Sequence, residues 1–408
     1  MKPVFIASEP NSEKDDRMIA RRLLFRPFSW KKGKYEDAVV SKLKQLTNSK
    51  YCYTFSTGRA AIYSVLQAIN VKPGDEVIVQ AFTCLAVPLP IKWLGAKPIY
   101  VDIEPQTYNP PPDSIQKAIT EKTRAVVVQH TFGIPAQIDK IRKIVDTENS
   151  KRNIQNKIYL IEDLAHSFGG KYKGKILGKW GDAAILSFGQ EKVVSCTQGG
   201  AVITNDELVD INIKKQYEKI GYPNLFQIKR NIMHPLLWNI INKTYYFPPV
   251  ISIGKMLIVL FRILGLLKSQ ADPGAVDFEK PEIYKLSNAQ SEILVNQLDK
   301  LEEFTEHRKK ITNIYESKYK KGWDDLPLLR YPVSSEKPEV LVSNLKKNKI
   351  IPGNWYNNPI YPKSSDLALF DYFEGSCPNA EILSKRIVNL PTSINVSENE
   401  AKRIERLT

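Results

Sequence analysis

Lys192, Asp163 and the turn Ser56-Thr57-Gly58 are the positions in this 408-residue chain whose residue types and setting could do chemistry. Singly, each has an ordinary reading. Gly58 stands where a short apolar run hands over to a helical pattern. Backbone N–H groups at a helix start bind phosphate, and they serve as readily in a cap that holds no ligand. Asp163 ends the apolar run KIYLIED. A carboxylate at the carboxyl end of a strand either caps the next loop or meets a ligand cation. Ser187 and Lys192 lie in AAILSFGQEK, just ahead of Gly199-Gly200, where a lysine can reach a pocket or stay in solvent. Together, in this chain order, the signals are more specific. A phosphate cradle, an acid at a strand end and a Ser-x4-Lys pair are what pyridoxal 5′-phosphate (PLP) needs. The acid keeps the pyridine nitrogen protonated, so the ring accepts electrons, while the lysine binds the cofactor covalently and moves protons.

The flanking sequence supplies a scaffold for these residues. Helical patterns are predicted over 35–48, 59–69, 85–95, 113–120 and 137–146. They alternate with strands over 51–55, 76–80, 98–102, 124–129 and 158–162, and strands near 183–187 and 201–204 close the series. Runs such as AVVVQ and IYLIE are apolar throughout, which suits a sheet buried on both faces. Alternation of this kind predicts an α/β domain with a mostly parallel sheet. Beyond residue 210 the texture changes to a stretch rich in Leu, Ile, Phe and Trp, broken at Pro235, Pro248 and Pro249. A mixed α+β segment follows, with helices expected over 284–301, 303–318 and 337–347. The expected divisions are a basic arm at 1–34, a large PLP-binding domain at 35–215, an apolar insert at 216–271 and a small C-terminal domain at 272–408.

Composition narrows the functional classes. Hydrophobic residues make up 42% and charged residues 25%, ordinary for a globular chain with ample core. Cys52, Cys84, Cys196 and Cys377 are scattered without a CxxC pair, and the four histidines form no HxxxH. This pattern argues against a disulfide framework and a metal site, and favours reduced thiols in a cytoplasmic protein. The opening MKPVFIASEPNSEKDD lacks the apolar core of a secretory leader. A net charge of +15 favours anionic partners. No nucleic-acid module accompanies it, and nucleic acid is not an expected partner. The basic residues Arg17, Arg21, Arg22, Arg26, Lys31, Lys32 and Lys34 suggest either a solvated arm or one that faces an anion.

Longer stretches resemble one known family. FSTGRAAIYSVLQAINVKPGDEVIVQAFT, WLGAKPIYVDIEPQTYN, AVVVQHTFGIPAQID, IEDLAHSFGGKYKGKILGKWGDAAILSFGQEK, TQGGAVITND and YKLSNAQSEILVNQLDKL are similar, in order, to the DegT/StrS-type PLP-dependent sugar-nucleotide aminotransferases. The resemblance implies the aspartate-aminotransferase-like PLP-dependent transferase fold and a homodimer. It assigns Thr57, Gly58 and Arg59 to the phosphate-binding turn and Ser187 to the same phosphate. Asp163 would pair with the pyridine nitrogen, His166 would lie against the cofactor near the reacting amine, and Lys192 would hold the cofactor. His130 matches a family histidine or is a satisfied core residue. Departures from the family pattern are Cys84 where many members carry a ring-stacking aromatic, Arg59 for a small residue, Gly189 for a bulkier one, and Pro281-Glu282-Ile283 for a Gly-x-Asn that reaches the partner subunit.

The resemblance implies transfer of an amine from an amino acid, glutamate first, to a keto-sugar nucleotide in polysaccharide or amino-sugar biosynthesis. Family members that act as dehydratases replace the lysine by histidine, so Lys192 favours aminotransfer. Trp355, Tyr356 and Tyr361 either flank the sugar or pack in the core. Alternative readings are a PLP enzyme for a non-sugar or lipid-linked substrate, and a non-catalytic membrane-associated protein that keeps the fold. The first is kept open by Cys84 and by the apolar stretch VISIGKMLIVLFRILGLL at 250–267. Lys255 and Arg262 fall on one helical face there, and Ser252 and Ser269 extend the stripe. A spanning helix would bury Arg262 at a cost of about 2.5–3.5 kcal/mol. A helix lying on an anionic membrane surface, within 222–268, avoids that cost, as does burial in protein.

Overall fold

The computed structural model describes residues 3–6, 11–247, 252–267, 280, 282–363 and 366–408. The expected breaks at Pro248 and Pro249, the ends of the apolar stripe at Val250, Ile251 and Ser269, and Pro281 lie outside the described residues.

Seven strands build the central sheet: β1 (Tyr51–Phe55), β2 (Glu76–Gln80), β3 (Lys97–Val101), β4 (Thr123–Gln129), β5 (Tyr159–Asp163), β6 (Ala183–Ser187) and β7 (Gly200–Thr204). Their spatial order is β1-β7-β6-β5-β4-β2-β3, with β7 antiparallel to both neighbours and the other pairs parallel. Every residue of β5 and β7 is buried, as the apolar runs require of strands covered on both faces. Register brings the chemistry together. Asp163 lies opposite Ile185 on one side and Gln129 on the other, Ser187 opposite Gly200, and Gly200 opposite Phe55. The carboxyl ends of β1, β5 and β6 therefore meet at one edge, where open α/β sheets bind ligands.

The helices are α1 (Lys14–Leu24), α2 (Tyr35–Thr47), α3 (Gly58–Ala68), α4 (Pro88–Trp93), α5 (Pro112–Ala118), α6 (Ile138–Asn149), α7 (Glu207–Tyr217), α8 (Leu225–Thr244), α9 (Ile253–Ile263), α10 (Asn288–Asp299), α11 (Leu301–Tyr319), α12 (Pro338–Lys347), α13 (Pro378–Arg386) and α14 (Glu398–Leu407). The helix expected from Tyr284 starts later because Ser287 caps it, accepting from the Gln290 N–H. In the C-terminal region a two-stranded pairing, β8 (Arg330–Ser334) against β9 (Ile387–Pro391), packs with α12 and α13.

The expected arm at 1–34 is instead folded for much of its length. Glu13 and Asp16 form a capping box at the start of α1, and Ala20 and Leu23 are buried. The buried Asp16 accepts from the side chains of Asn296, Gln297 and Lys300 on and beside α10. Arg21 and Arg22 close the last turn, where cations suit the helix dipole, and Arg22 pairs with Glu292. The run of charges hid an amphipathic helix whose apolar face is short.

Candidate active site

Thr57 caps α3 through its Oγ1, which accepts from the Ala60 N–H at 3.1 Å. At Gly58 the approach is close: a Cβ there would crowd Ser187, 3.1 Å from its Oγ and 3.3 Å from its Cβ. Gly200 is tighter still, since a Cβ would lie 2.6 Å from the Thr57 carbonyl oxygen. These two glycines let the β1–α3 turn sit directly on β6 and β7, with the helix N-terminus and the Ser187 hydroxyl on one cavity wall. The cavity, about 240 Å³, is lined by Thr57, Gly58, Arg59, Cys84, Asp163, His166, Ser187, Gly189 and Lys192 together.

Glu162 and Asp163 are adjacent on β5 and point to opposite faces of the sheet, with opposite fates. Glu162 is fully buried and accepts from the N–H groups of Gly178, Trp180 and Gly181 at 2.7–2.8 Å and lies 3.3 Å from His130 Nε2. Desolvation opposes its charge, but these donors outweigh it and hold the carboxyl below the usual carboxylate range. His130 also accepts at Nδ1 from the Ala136 N–H and does not line the cavity. Asp163 is as deeply placed, yet the bond it makes among the described residues is to the Ala165 N–H at 2.9 Å. Burial pushes its pKa up, with Ala165 and the Lys192 charge acting the other way. A buried carboxylate with one donor lacks a cation, and a protonated pyridine nitrogen would supply it.

Lys192 points into the same cavity, with Nζ 4.8 Å from the centre of the Trp355 ring. Desolvation lowers its pKa first, against the pull of the Cys84 and Asp163 charges. Its backbone is held from afar: Asn11 Nδ2 donates to the carbonyl oxygens of Lys192 at 2.6 Å and Val193 at 2.8 Å. Asn11 in turn accepts from the buried Arg308. Nothing in the local sequence marks Asn11 or Arg308, because their partners lie hundreds of positions away.

His166 Nδ1 accepts from the Phe132 N–H at 3.2 Å, so the proton sits on Nε2, which donates to the Tyr356 hydroxyl at 3.0 Å. Burial, then the nearby Lys192 and Arg330 charges, push its pKa well below the ordinary value, so the ring is neutral. It stacks on Trp355 with ring centres 5.3 Å apart. Trp355 also receives the Arg330 guanidinium at 3.4 Å, and Arg330 pairs with Glu191. Cys84 lies opposite Tyr361 in a short parallel pairing, so aromatic side chains of the C-terminal region stand around the thiol. Trp355, Tyr356 and Tyr361 all line the cavity.

The insert enters the site as well. His234, Trp238, Ile258, Arg262 and Leu267 complete the cavity wall. Lys255 diverges from Arg262 despite sharing its helical face, and lies 5.5 Å over the Tyr245 and Tyr246 rings. Among the described residues, no helix is long and apolar enough to cross a membrane. The acids Glu13, Asp15 and Asp16 cluster closely enough to suggest a metal, but the Lys300 ammonium occupies their centre.

The residues from 13 to 234 and from 260 to 407 match the description of the DegT/DnrJ/EryC1/StrS aminotransferase family. The chain belongs to this family. It is 30% identical over 355 residues to an uncharacterized protein of Methanocaldococcus jannaschii, covering 84% of this chain and 81% of that one. It is 40% identical over 167 residues to UDP-2-acetamido-2-deoxy-3-oxo-D-glucuronate aminotransferase of Pseudomonas aeruginosa, covering 41% of this chain and 44% of the relative. The chain spans about half the length of most of the curated relatives it matches. In fold it is similar to GDP-4-keto-6-deoxymannose-3-dehydratase, solved with PLP and glutamate, at a TM-score of 0.73 and 21% identity over 98% of this chain and 99% of that one. The family members' PLP-dependent transferase fold, a mostly parallel α/β sheet with a smaller C-terminal region, is thus the fold of this chain.

The residues fit the family's cofactor: a cradle that a Cβ would fill, a buried carboxylate lacking a cation, and a lysine between them. Ser187→Ala is expected to weaken PLP binding roughly tenfold, the loss of about one hydrogen bond to a charged group. Fluorescence titration of the apo-protein measures it, and unchanged affinity would remove Ser187 from the phosphate.

Proposed function

We propose that this chain is a PLP-dependent aminotransferase that moves an amine from an amino acid, glutamate in the first instance, to a keto-sugar nucleotide in polysaccharide or amino-sugar biosynthesis. The convergence of Lys192, the under-partnered Asp163 and the Thr57-Gly58-Ser187 cradle in one cavity carries this reading. The nearness of a relative named for a UDP-linked oxo-sugar supports the acceptor class.

When bound, PLP supplies the electron sink. The amides at the start of α3, with Thr57, Arg59 and Ser187, hold its phosphate, and Asp163 keeps its ring nitrogen protonated. Lys192 would hold the cofactor covalently through Nζ and, when free of it, would move protons on that atom. Burial lowers its pKa, which shifts the balance toward the neutral amine that such work needs. His166, neutral and locked between Phe132 and Tyr356, braces one face of the site without charging it. The aromatic side chains Trp355, Tyr356 and Tyr361 exclude water and flank the sugar.

A visible absorption spectrum of purified protein, then addition of glutamate, tests the reading. A violet-blue absorption band that colours the protein yellow and shifts with glutamate is expected. A colourless protein that takes up no added PLP would bring forward a non-catalytic role.

Two finer readings accompany this one. The chain acts as a cytoplasmic homodimer, supported by the fully exposed Phe28 and the 86% exposed Phe25 beside the groove at Gly33 and Asn288. The exposed strip Met256, Val259, Leu260 and Ile263 on α9, flanked by Lys255 and Arg262, rests on an anionic membrane. Light scattering reads the first. For the second, co-sedimentation with phosphatidylglycerol vesicles is expected to fall with salt; protein left in the supernatant at low salt would end it.

A further inference from the structure

The family match stops at residue 234 and resumes at 260, so the second half of α8 and the first half of α9 lie outside the matched residues, while Arg262 lies just inside the resumed match. They form a helical hairpin with a small core of its own, Leu237, Ile241 and Leu267 packed with Leu257 and Phe261. The two helices cross tightly at Gly254, where a Cβ would lie 2.6 Å from the Ile241 carbonyl oxygen. The Trp238 indole N–H donates to His234 Nε2 at 3.0 Å, and Phe5 meets the Tyr245 ring edge-on at 4.9 Å. The hairpin is therefore held in place, not a loose appendage, and it presents Trp238, Ile258 and Arg262 to the cavity that contains Lys192.

Its charge is one-sided. Residues 225–267 contain Lys229, Arg230, Lys243, Lys255 and Arg262 and no Asp or Glu. Of these five, Arg262 alone lines the cavity. Its side chain is exposed at the outer wall, and its guanidinium makes no ion pair or hydrogen bond among the described residues. Arg59 and Lys192 already supply cations deeper in, beside the cradle. A small donor amino acid must sit within reach of Lys192. An exposed arginine at the rim instead faces the part of the acceptor that remains outside.

We propose that Arg262, on the hairpin, binds the diphosphate of the acceptor at the mouth of the cavity. The inference rests on the aminotransferase reading and adds to it the element that recognises the acceptor's handle. A planar guanidinium suits phosphate oxygens in paired, charge-assisted hydrogen bonds. Two sources carry such a diphosphate. A nucleotide would lay its base on the Trp238 side of the hairpin. A lipid-linked sugar would lay its chain along the exposed Val259, Leu260 and Ile263.

Calorimetry on the PLP-loaded protein tests the proposal with three probes: inorganic pyrophosphate, UDP and farnesyl diphosphate. Wild type is compared with Arg262→Met, which keeps the side-chain stem, and Arg262→Lys, which keeps the charge. At least one probe is expected to bind wild type, to weaken tenfold or more in Arg262→Met, and to recover part of that loss in Arg262→Lys. UDP as the tighter ligand names the nucleotide source, and farnesyl diphosphate the lipid. Equal binding in wild type and Arg262→Met overturns the proposal, as does failure of all three probes to bind wild type. So does an Arg262→Met protein that holds the probes as wild type does but loses the glutamate-driven colour change. Failure of the aminotransferase reading looks different: wild type then shows no colour change with glutamate, whatever the probes do.

Discussion

Lys192→Ala is expected to abolish turnover, with a fall of at least about 10³-fold, because both the covalent hold on the cofactor and the proton carrier are lost. The fold should tolerate the change. Among the described residues Lys192 makes no side-chain salt bridge, and the loop is held through its backbone by Asn11, which alanine leaves intact. The variant should still bind PLP through the cradle and Asp163, but without the absorption of the lysine-bound form, and added glutamate should not regenerate free enzyme. Steady-state assay with glutamate and a keto-sugar nucleotide, alongside the spectrum, checks both. Normal activity in this variant would defeat the functional assignment outright.

Asp163→Asn is expected to cost about 10²–10³-fold in turnover, roughly 3–4 kcal/mol of transition-state stabilisation, since a neutral amide does not keep the ring nitrogen protonated. A second readout separates this role from a structural one. Burial raises the Asp163 pKa above its unfolded value. The folded apo-protein then holds a proton that the unfolded chain has released, so apo stability declines as pH rises from the unfolded pKa, near 3.8, to the raised folded one. Above the raised folded pKa that decline is complete, and the asparagine variant, lacking the charge, escapes it. Apo Asp163→Asn should therefore melt no lower than apo wild type at pH 7, while PLP raises its melting temperature less. Thermal melts with and without PLP decide this. An apo variant that melts well below wild type would make Asp163 a structural residue. Glu162, its neighbour, should behave in the opposite way, because its carboxylate is satisfied by three backbone N–H groups.

Much of the site was legible in the sequence because it depends on local rules. Asp163, Ser187 and Gly58 sit at element ends, and element ends follow from apolar runs and capping residues that short windows reveal. Parallel strands buried on both faces leave an unmistakable pattern, and in such a sheet the carboxyl ends must face one edge. Chain order then made Lys192 and Asp163 a pair before any distance was known. The helix inside the basic segment 11–34 was hidden for the converse reason. Its charges dominate a short window, while the few apolar residues that dock α1 gain their meaning only from α8 and α10.

By itself, then, the sequence determined the α/β alternation, the order of the strands along the chain and the identity of the lysine, the acid and the cradle. Tertiary structure alone decided what surrounds them. Asn11 behind the lysine, Trp355 and Tyr356 against His166, and Arg262 at the rim come from positions far apart in the chain, and no local pattern encodes a contact closed over such distances. The same holds for the insert. Its apolar composition is compatible with membrane, dimer or core, and only the crossing of α8 and α9 at Gly254 turns one of its faces toward Lys192.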